Sequence, residues 1–295
     1  MDARVRKNVE LASACGAPPA MVLAVALMAE GAETLEDAVK FVRDHHDDLL
    51  AASRTHPTLH SLAELEPELR TDHEIARILP ESRDHELRGR RVFGDLVGKK
   101  SFLQVAALAI DGVDLSARDA ELLEHLGVNT QLADPGIWPL NVVRRTAANA
   151  GFSHAVVAGI ASLLNRNMAA EPVGAFLTVL DRLEGARSVD AQLDDMLARG
   201  ERIAGIGRPA LGPDERNAQV FALAAAYGRD CGPSFRLALE VDAYFRRVKK
   251  VTINSAGLQA AIMRDLGFSA RGATAFCVMY FVVPVLAHAC FDERR

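Results

Sequence analysis

Apolar residues recur at three- and four-residue spacing through most of the chain, and the alternating patterns typical of strands are nearly absent. Such spacing places side chains on one face of an α-helix, so the pattern predicts an almost entirely helical protein. The predicted helices cover residues 19–29, 34–52, 116–126, 140–150, 154–164, 172–183, 189–199, 214–227, 234–248 and 255–266. The sequence therefore predicts the all-α class.

Residues at the ends of these segments support the same interpretation. Ser116, Ser188 and Asp214 stand before helical patterns, where a side-chain oxygen can accept a backbone N–H. Asp119 follows Ser116 by three residues, in an acidic variant of a capping box. Glycines, which tolerate the left-handed conformation that ends many helices, follow predicted helices at Gly151, Gly185, Gly228 and Gly267.

A polar stretch over residues 53–81, with prolines and many charges, separates an N-terminal helical piece from the rest of the chain. We interpret residues 1–82 as a helical extension with a polar connector, and residues 83–295 as the main body. The total of 295 residues, 49% of them hydrophobic and 25% charged, is ordinary for one large or two smaller globular domains.

Charge and cysteine content restrict the kinds of binding partner and the cellular compartment that we expect. The formal net charge of -5 lacks the basic excess of a nucleic-acid-binding surface, so we expect no nucleic-acid partner. The four cysteines have no C-x-x-C spacing and are interpreted as reduced core thiols of a cytoplasmic protein. The amino terminus shows no signal-peptide pattern.

The stretch over residues 273–291 is long and uncharged enough to suggest a membrane span. It contains Pro284 and His288, and no second stretch of this kind accompanies it. A buried C-terminal helix explains the same pattern, so we expect no membrane association and interpret His288 as a core histidine.

Three segments carry a resemblance to a known family. Residues 205–216 form a glycine-spaced loop that ends in Asp-Glu-Arg, and residues 251–257 read V-T-I-N-S-A-G before an apolar helix. Residues 87–102 carry an R-G pattern followed by D-L-V-G and S-F. Together they resemble the citrate synthase and citryl-CoA lyase family, and in particular the C-terminal lyase domain of ATP citrate lyase.

The resemblance covers about residues 83–295 and implies a fold, an assembly and a place for the active site. The implied fold is a large helical domain that carries a smaller helical domain, here at roughly residues 170–265. The family forms homodimers and builds its active site in the cleft between the domains, with residues from both subunits. We therefore expect a homodimer.

The family uses two histidines and an aspartate to move protons during carbon–carbon bond formation or cleavage. Pro135, Arg208 and Ala256 occupy the corresponding places in this sequence. Proline and alanine have no titratable side chain, and guanidinium stays protonated at neutral pH. These residues cannot perform general acid–base catalysis, which requires a pKa near the working pH. The catalytic residues are therefore left unassigned.

Other positions keep residue types that the family uses to hold its ligand. Arg216 of Asp214-Glu-Arg corresponds to a carboxylate-binding arginine, a role that suits its fixed fork of donors. Arg294 fits the lyase-type chain ending, although Phe281 stands where another arginine of the family belongs. The predicted ligand-binding residues are Asp134, Trp138, Arg208, Arg216, Asn254 and Arg294. Structural roles compete with these assignments. Arg208 as a solvated loop residue and Arg216 paired with Asp214 fit equally well, whereas for Asp134 a turn and for Trp138 simple packing are the favoured roles.

Two functional hypotheses from different classes remain open, and an accidental resemblance in a helical structural protein is a third. The leading hypothesis is a diverged acyltransferase or lyase that acts on an acyl-CoA or related carboxylate, with Arg208 as a fixed stabiliser of enolate charge. The second is a catalytically inactive binding or regulatory subunit, beside an active paralogue. A CoA thioester would be a substrate, and we expect no cofactor and no metal. The segment Asp44-His-His-Asp-Asp48 lacks the spacing of a zinc helix.

Overall fold

The structure is a computed structural model that describes residues 75–291, apart from residues 80, 132–136, 166–167 and 209–211. The chain divides into two compact units, Met1–Arg77 and Ile78–Arg295, and almost all of the described residues belong to the second. The predicted helices at residues 19–29 and 34–52, and the segment Asp44-His-His-Asp-Asp48, lie outside the described residues.

Short strands open the described region. Strands β1 (Ala76–Leu79), β2 (Asp84–Leu87) and β3 (Arg90–Arg91) form a sheet in that order, with β2 antiparallel to β3. A π-helical turn, Val92–Leu96, follows. A second antiparallel pair joins β4 (Leu164–Asn165) to β5 (Met168–Ala169). Strands of two to four residues are too short to produce an alternating pattern that a sequence can reveal.

Helices make up most of the described chain, so the predicted all-α class is confirmed. They are α1 (Phe102–Asp111), α2 (Ala117–Asn129), α3 (Trp138–Ala150), α4 (Phe152–Leu163), α5 (Glu171–Leu183), α6 (Val189–Ala198), α7 (Asn217–Ala226), α8 (Pro233–Val248), α9 (Ser255–Asp265) and α10 (Ala270–Cys290). The predicted helices from residue 116 onward agree with α2 to α9 within a few residues at each end. Helix α1 was not predicted.

Side-chain caps fix several of these ends. The Ser116 hydroxyl oxygen accepts the Asp119 N–H at 3.0 Å, as predicted, and Ser188 accepts the Ala191 N–H at 3.2 Å. The Asp119 carboxylate does not complete the box on the backbone, because it accepts the Ser116 hydroxyl at 2.7 Å and the Arg229 Nε–H at 2.9 Å. Asp119 therefore links the start of α2 to the end of α7.

Helix α10 lies at the centre of the helical body, where α1, α2, α3, α4, α5 and α9 pack against it. Its Pro284 has no N–H to donate to the Tyr280 carbonyl four residues earlier. The side-chain amide of Gln131 donates to that carbonyl at 3.1 Å instead, so the proline leaves no unmet acceptor there. This hydrogen bond thus compensates for a proline that would otherwise weaken the helix.

Helix α10 is also the one described helix that is long and apolar enough to cross a membrane by length and composition. Core helices of globular proteins pass the same test. Nine residues from Gly272 to Ala289 are buried, and the Tyr280 hydroxyl donates to the Leu123 carbonyl at 2.7 Å inside the protein. The packing supports the interpretation as a core helix. Cys277 of α10 is buried, whereas Cys231 and Cys290 are exposed, so the expectation of core thiols is wrong for these two.

Helix α9 organises the other half of the body and packs against α5, α7, α8 and α10. The predicted smaller domain at about residues 170–265 would comprise α5 to α9, and this boundary stays a prediction. The buried residues form one hydrophobic cluster that includes Phe176 of α5, Phe235 of α8 and Phe276 of α10. The start of α9 packs against this hydrophobic cluster. The glycine-spaced loop, residues 205–216, contacts α9 at the same end.

Candidate functional site

A short backbone ladder joins the glycine-spaced loop to the segment before α9. The Gly207 N–H donates to the Thr252 carbonyl at 2.8 Å, and the Asn254 N–H donates to the Gly205 carbonyl at 2.9 Å. The Asn254 side chain adds a bond from Nδ2 to the Gly207 carbonyl at 2.6 Å, while its Oδ1 caps α9 by accepting the Gly257 N–H at 3.2 Å. Asn254 therefore ties the loop and the helix start into one unit.

Two glycines allow these segments to approach so closely. Gly205 has a φ of +74°, and a Cβ at this position would lie 2.8 Å from the Phe176 ring and 3.0 Å from the Gly257 Cα. A Cβ on Gly257 would lie 2.7 Å from the Gly205 carbonyl oxygen. The pattern of glycines thus reflects close contact of backbone with backbone, as well as a left-handed turn.

Asp214 is the centre of the site. Its carboxylate accepts two bonds from the Arg216 side chain, from Nε to Oδ1 and from Nη2 to Oδ2, each at 2.8 Å. The Ser255 N–H at the start of α9 donates to Oδ2 at 2.9 Å, and Arg208 Nη1 lies 3.4 Å from Oδ1. The Asp214 side chain is fully buried, whereas 24% of the Arg208 side chain and 31% of the Arg216 side chain are exposed.

These contacts set the protonation of Asp214. Burial by itself raises the pKa of this carboxyl, but the hydrogen bonds from the Arg216 guanidinium and the Ser255 N–H outweigh it and lower the pKa to about 2. Asp214 is therefore an anion at neutral pH, and it fixes the positions of two cations. An ionised carboxylate with so low a pKa is a poor proton acceptor near pH 7.

Glu215 supplies a second carboxylate on the solvent side of the site. It forms an ion pair with Arg208 Nη1, and 73% of its side chain is exposed. Its own backbone N–H and the Arg208 guanidinium lower the pKa of the Glu215 carboxyl. The cluster thus contains two guanidinium groups and two carboxylates, and we call these four residues, with Asn254, the arginine cluster.

Other side chains hold the backbone of the site and were not found from the sequence. The Asn217 side chain donates to the Ile253 carbonyl at 2.8 Å, and the Asp242 carboxylate accepts the Ile253 N–H at 2.7 Å. Asn129, at the end of α2, donates to the Arg216 carbonyl at 3.3 Å. These residues act on backbone groups from distant parts of the chain, and no motif in the sequence marks them.

Of the six predicted ligand-binding residues, three come together, one lies elsewhere and two lie outside the described residues. Arg208, Arg216 and Asn254 lie within the arginine cluster. Trp138 begins α3 with 47% of its surface exposed, and among the described residues no hydrogen bond or ring contact joins it to the cluster. Asp134 and Arg294 lie outside the described residues, so their roles stay predictions.

Of the three positions at which the sequence resemblance expects proton-transfer groups, the structure describes two. Ala256 lies in the first turn of α9 and packs, partly buried, against the hydrophobic core, while Pro135 lies outside the described residues. Arg208 stands in the loop with both of its described partners being carboxylates. Within the arginine cluster, the pKa of each of the two carboxyls, Asp214 and Glu215, lies below its ordinary value, so neither is suited to accept a proton near pH 7.

Solved structures share this architecture. The citryl-CoA lyase from Hydrogenobacter thermophilus superimposes with a TM-score of 0.65 and 22% identity, over 76% of this chain and 92% of that one. The ATP citrate lyase from Methanothrix soehngenii, in complex with citrate and coenzyme A, gives a TM-score of 0.62 and 17% identity, over 93% of this chain and 50% of that one. This chain has the citrate synthase-like fold.

A citrate synthase from Thermoplasma acidophilum, in complex with carboxymethyl coenzyme A and oxaloacetate, shares the citrate synthase-like fold at lower similarity. Its TM-score is 0.53 with 14% identity, over 95% of this chain and 83% of that one. Comparison with protein-family models and with curated protein sequences gave no match. Identities below 25% establish the fold, and the resemblance seen in the sequence motifs is confirmed at that level.

Proposed function

We propose that the protein is a diverged citrate synthase-like enzyme that binds a carboxylate or acyl-CoA ligand and makes or breaks a carbon–carbon bond. One observation carries this proposal: Arg208 and Arg216 converge on a single point beside the start of α9, within a fold whose solved members bind citrate, oxaloacetate and coenzyme A derivatives. Paired guanidinium groups are suited to carboxylates because each presents a planar fork of N–H donors.

Catalysis at such a cluster would be electrostatic. Fixed positive charge and oriented N–H groups stabilise an enolate or a carboxylate without moving a proton. Arg208 is partly exposed and can face a ligand, whereas Arg216 is oriented by its paired bonds to Asp214. A proton donor or acceptor would have to come from the substrate, from water or from residues beyond the cluster.

The alternative function is that of a catalytically inactive binding or regulatory subunit. The internal neutralisation of the cluster favours an inactive subunit, because Asp214 already accepts the two N–H donors along one edge of the Arg216 guanidinium. The replacement of the family's proton-transfer groups by Pro135, Arg208 and Ala256 favours it as well. The two functions differ in turnover, while both require ligand binding. The cytoplasmic location also stays a proposal.

Turnover is tested with the reactions of citrate synthase and citryl-CoA lyase. We expect no thiol release from acetyl-CoA with oxaloacetate and no cleavage of citryl-CoA, above a heat-inactivated sample. Arg208→His alone is expected to stay inactive, because catalytic groups that act as a unit do not regain function one at a time. Clear turnover by the wild-type protein in either assay would contradict this expectation.

Ligand binding is measured by calorimetric titration with CoA, acetyl-CoA, citrate and oxaloacetate. We expect Arg208→Gln to weaken the binding of a carboxylate ligand about tenfold or more, because a charge-assisted hydrogen bond contributes about 1.5–3 kcal/mol. Arg247→Gln is the matched control, since Arg247 forms an exposed ion pair with Asp190 away from the cluster. Equal affinities in the wild type and Arg208→Gln would exclude Arg208 from the binding site.

We propose a homodimer in which α10 contributes to the subunit contact. Val283, Leu286 and Cys290 are exposed on α10 at helical spacing and form an apolar stripe. Light scattering is expected to give twice the chain mass of 31.8 kDa. Val283→Asp should shift the protein toward the monomer, because a charge would become buried in the contact. Val248→Asp, at an exposed valine that ends α8, should leave the mass unchanged; a monomeric wild type would refute the proposal.

A further inference from the structure

The arginine cluster is electrically balanced by its own carboxylates. Arg208 and Arg216 carry two positive charges, and Asp214 and Glu215 carry two negative charges. A ligand carboxylate that joined these four groups would leave an excess negative charge in a partly buried site. Like charges at close range repel, and burial strengthens the repulsion because the dielectric constant is lower than in water. Binding is therefore favoured if one of the two internal carboxylates leaves.

The two carboxylates differ sharply in how firmly they are held. Asp214 has a fully buried side chain and accepts bonds from Arg216, from Arg208 and from the Ser255 N–H. Glu215 is 73% exposed, and its described side-chain partner is Arg208. Ion pairs with a solvent-exposed partner contribute little, so moving the Glu215 carboxylate into solvent has a small cost. Moving Asp214 would break a buried ion pair and leave two guanidinium groups without their buried partner, which costs much more.

We infer that Glu215 is an exchangeable internal anion, and that a ligand carboxylate binds Arg208 by taking its place. This inference rests on the proposed carboxylate-binding function, and it identifies Glu215 as a residue that limits the affinity of that site for its ligand. Arg216 remains bound to Asp214 throughout, so Arg208 is the arginine that exchanges partners. The site then discriminates against anions that bind Arg208 only weakly, because a ligand must compete with the Glu215 carboxylate, which is tethered within reach of the same guanidinium.

Four variants test the exchange: Glu215→Gln, Arg208→Gln, the double variant that combines them, and Glu240→Gln. Glu240 is exposed on α8 and its replacement changes the net charge by the same amount, so it controls for long-range electrostatics. Citrate and succinate serve as probes in calorimetric titrations at fixed ionic strength. We expect Glu215→Gln to bind citrate about three- to fivefold more tightly than the wild type, as the loss of a competing exposed ion pair implies.

Glu240→Gln is expected to change that affinity by less than about twofold, because a distant exposed charge is screened. The double variant is expected to bind no more tightly than Arg208→Gln alone, since the gain requires the guanidinium that Glu215 releases. Equal citrate affinity in Glu215→Gln and the wild type, with weaker binding in Arg208→Gln, would overturn the exchange and leave the carboxylate site standing. No heat of binding from either probe in the wild type or Glu215→Gln would overturn the carboxylate site itself.

Discussion

Replacement of Asp214 by Asn is expected to lower the free energy of unfolding by about 3 kcal/mol, the lower end of the range for breaking a buried ion pair. The carboxylate is fully buried and compensates the charges of Arg208 and Arg216. An amide of the same size keeps the packing, but it has no charge and one of its two groups is a donor that would face the arginines. The partial exposure of both arginines places the effect at this lower end.

Urea denaturation of the wild type and Asp214→Asn measures the difference. Asp190→Asn provides the control, because Asp190 pairs with Arg247 where both side chains are more than half exposed. That exposed pair is expected to contribute no more than about 1 kcal/mol. If Asp214→Asn were no more destabilising than Asp190→Asn, the buried ion pair would contribute no more to the free energy of unfolding than an exposed pair does.

The low pKa of Asp214 also predicts how stability changes in acid. The pKa of this carboxyl falls from an ordinary 3.8 to about 2 on folding, so the folded state binds its proton less readily than the unfolded state does. The resulting stabilisation, about 2 kcal/mol, is complete above roughly pH 5 and is lost as the pH falls from about 4 to 2. Asp214→Asn should lack this part of the acid-induced loss, which unfolding experiments between pH 2 and pH 6 would reveal.

A methyl group on Gly205 is expected to destabilise the protein by about 2–4 kcal/mol, through overpacking and a left-handed backbone. A Cβ there would meet the Phe176 ring at 2.8 Å, and Phe176 is fully buried and cannot move aside freely. Gly207→Ala is the matched control. Gly207 has a similar φ of +70° but nothing within 4 Å of a Cβ, so its replacement should cost only about 1 kcal/mol for the backbone.

A double-mutant cycle separates crowding from backbone strain. Phe176→Leu removes part of the ring that a Gly205 methyl would strike, and residues in contact show coupling energies of about 0.5–3 kcal/mol. Gly205→Ala should therefore be less damaging in the Phe176→Leu background than in the wild type, whereas Gly207→Ala should cost the same in both. Strict additivity for Gly205→Ala and Phe176→Leu would show that their contact contributes nothing.

Local patterns were sufficient to predict most of the described helices. The helical spacing from residue 116 onward gave elements that the structure contains, because amphipathic faces and caps are encoded within a few neighbouring residues. Arg208 and Arg216 lie eight positions apart in the sequence and were predicted to bind a ligand; the structure brings both onto Asp214, and their binding of a ligand stays a prediction. The short strands and α1 were missed, since two to four residues show no period and α1 is apolar on most of its faces.

The electrostatics of the site could not be predicted in the same way. Asp214 was recognised as a helix-start residue, but its bond to the Ser255 N–H crosses 41 positions in the chain and depends on the fold. The positioning roles of Asn217 and Asp242 on Ile253 likewise arise only when α7, α8 and α9 meet. A motif shows which side chains are available, whereas burial decides which of them bind each other.

The backbone of Ile253 has both of its polar groups held by side chains from helices other than α9, the carbonyl by Asn217 and the N–H by Asp242. The path of the chain into α9 is thus determined without any contribution from the side chain at position 256. Ala256 packs against the hydrophobic core, so a larger or charged side chain there would disturb that packing, while the two bonds that anchor Ile253 would not involve it. The backbone position of this first turn and its packing are thus set by different parts of the molecule, the first by Asn217 and Asp242 and the second by the core.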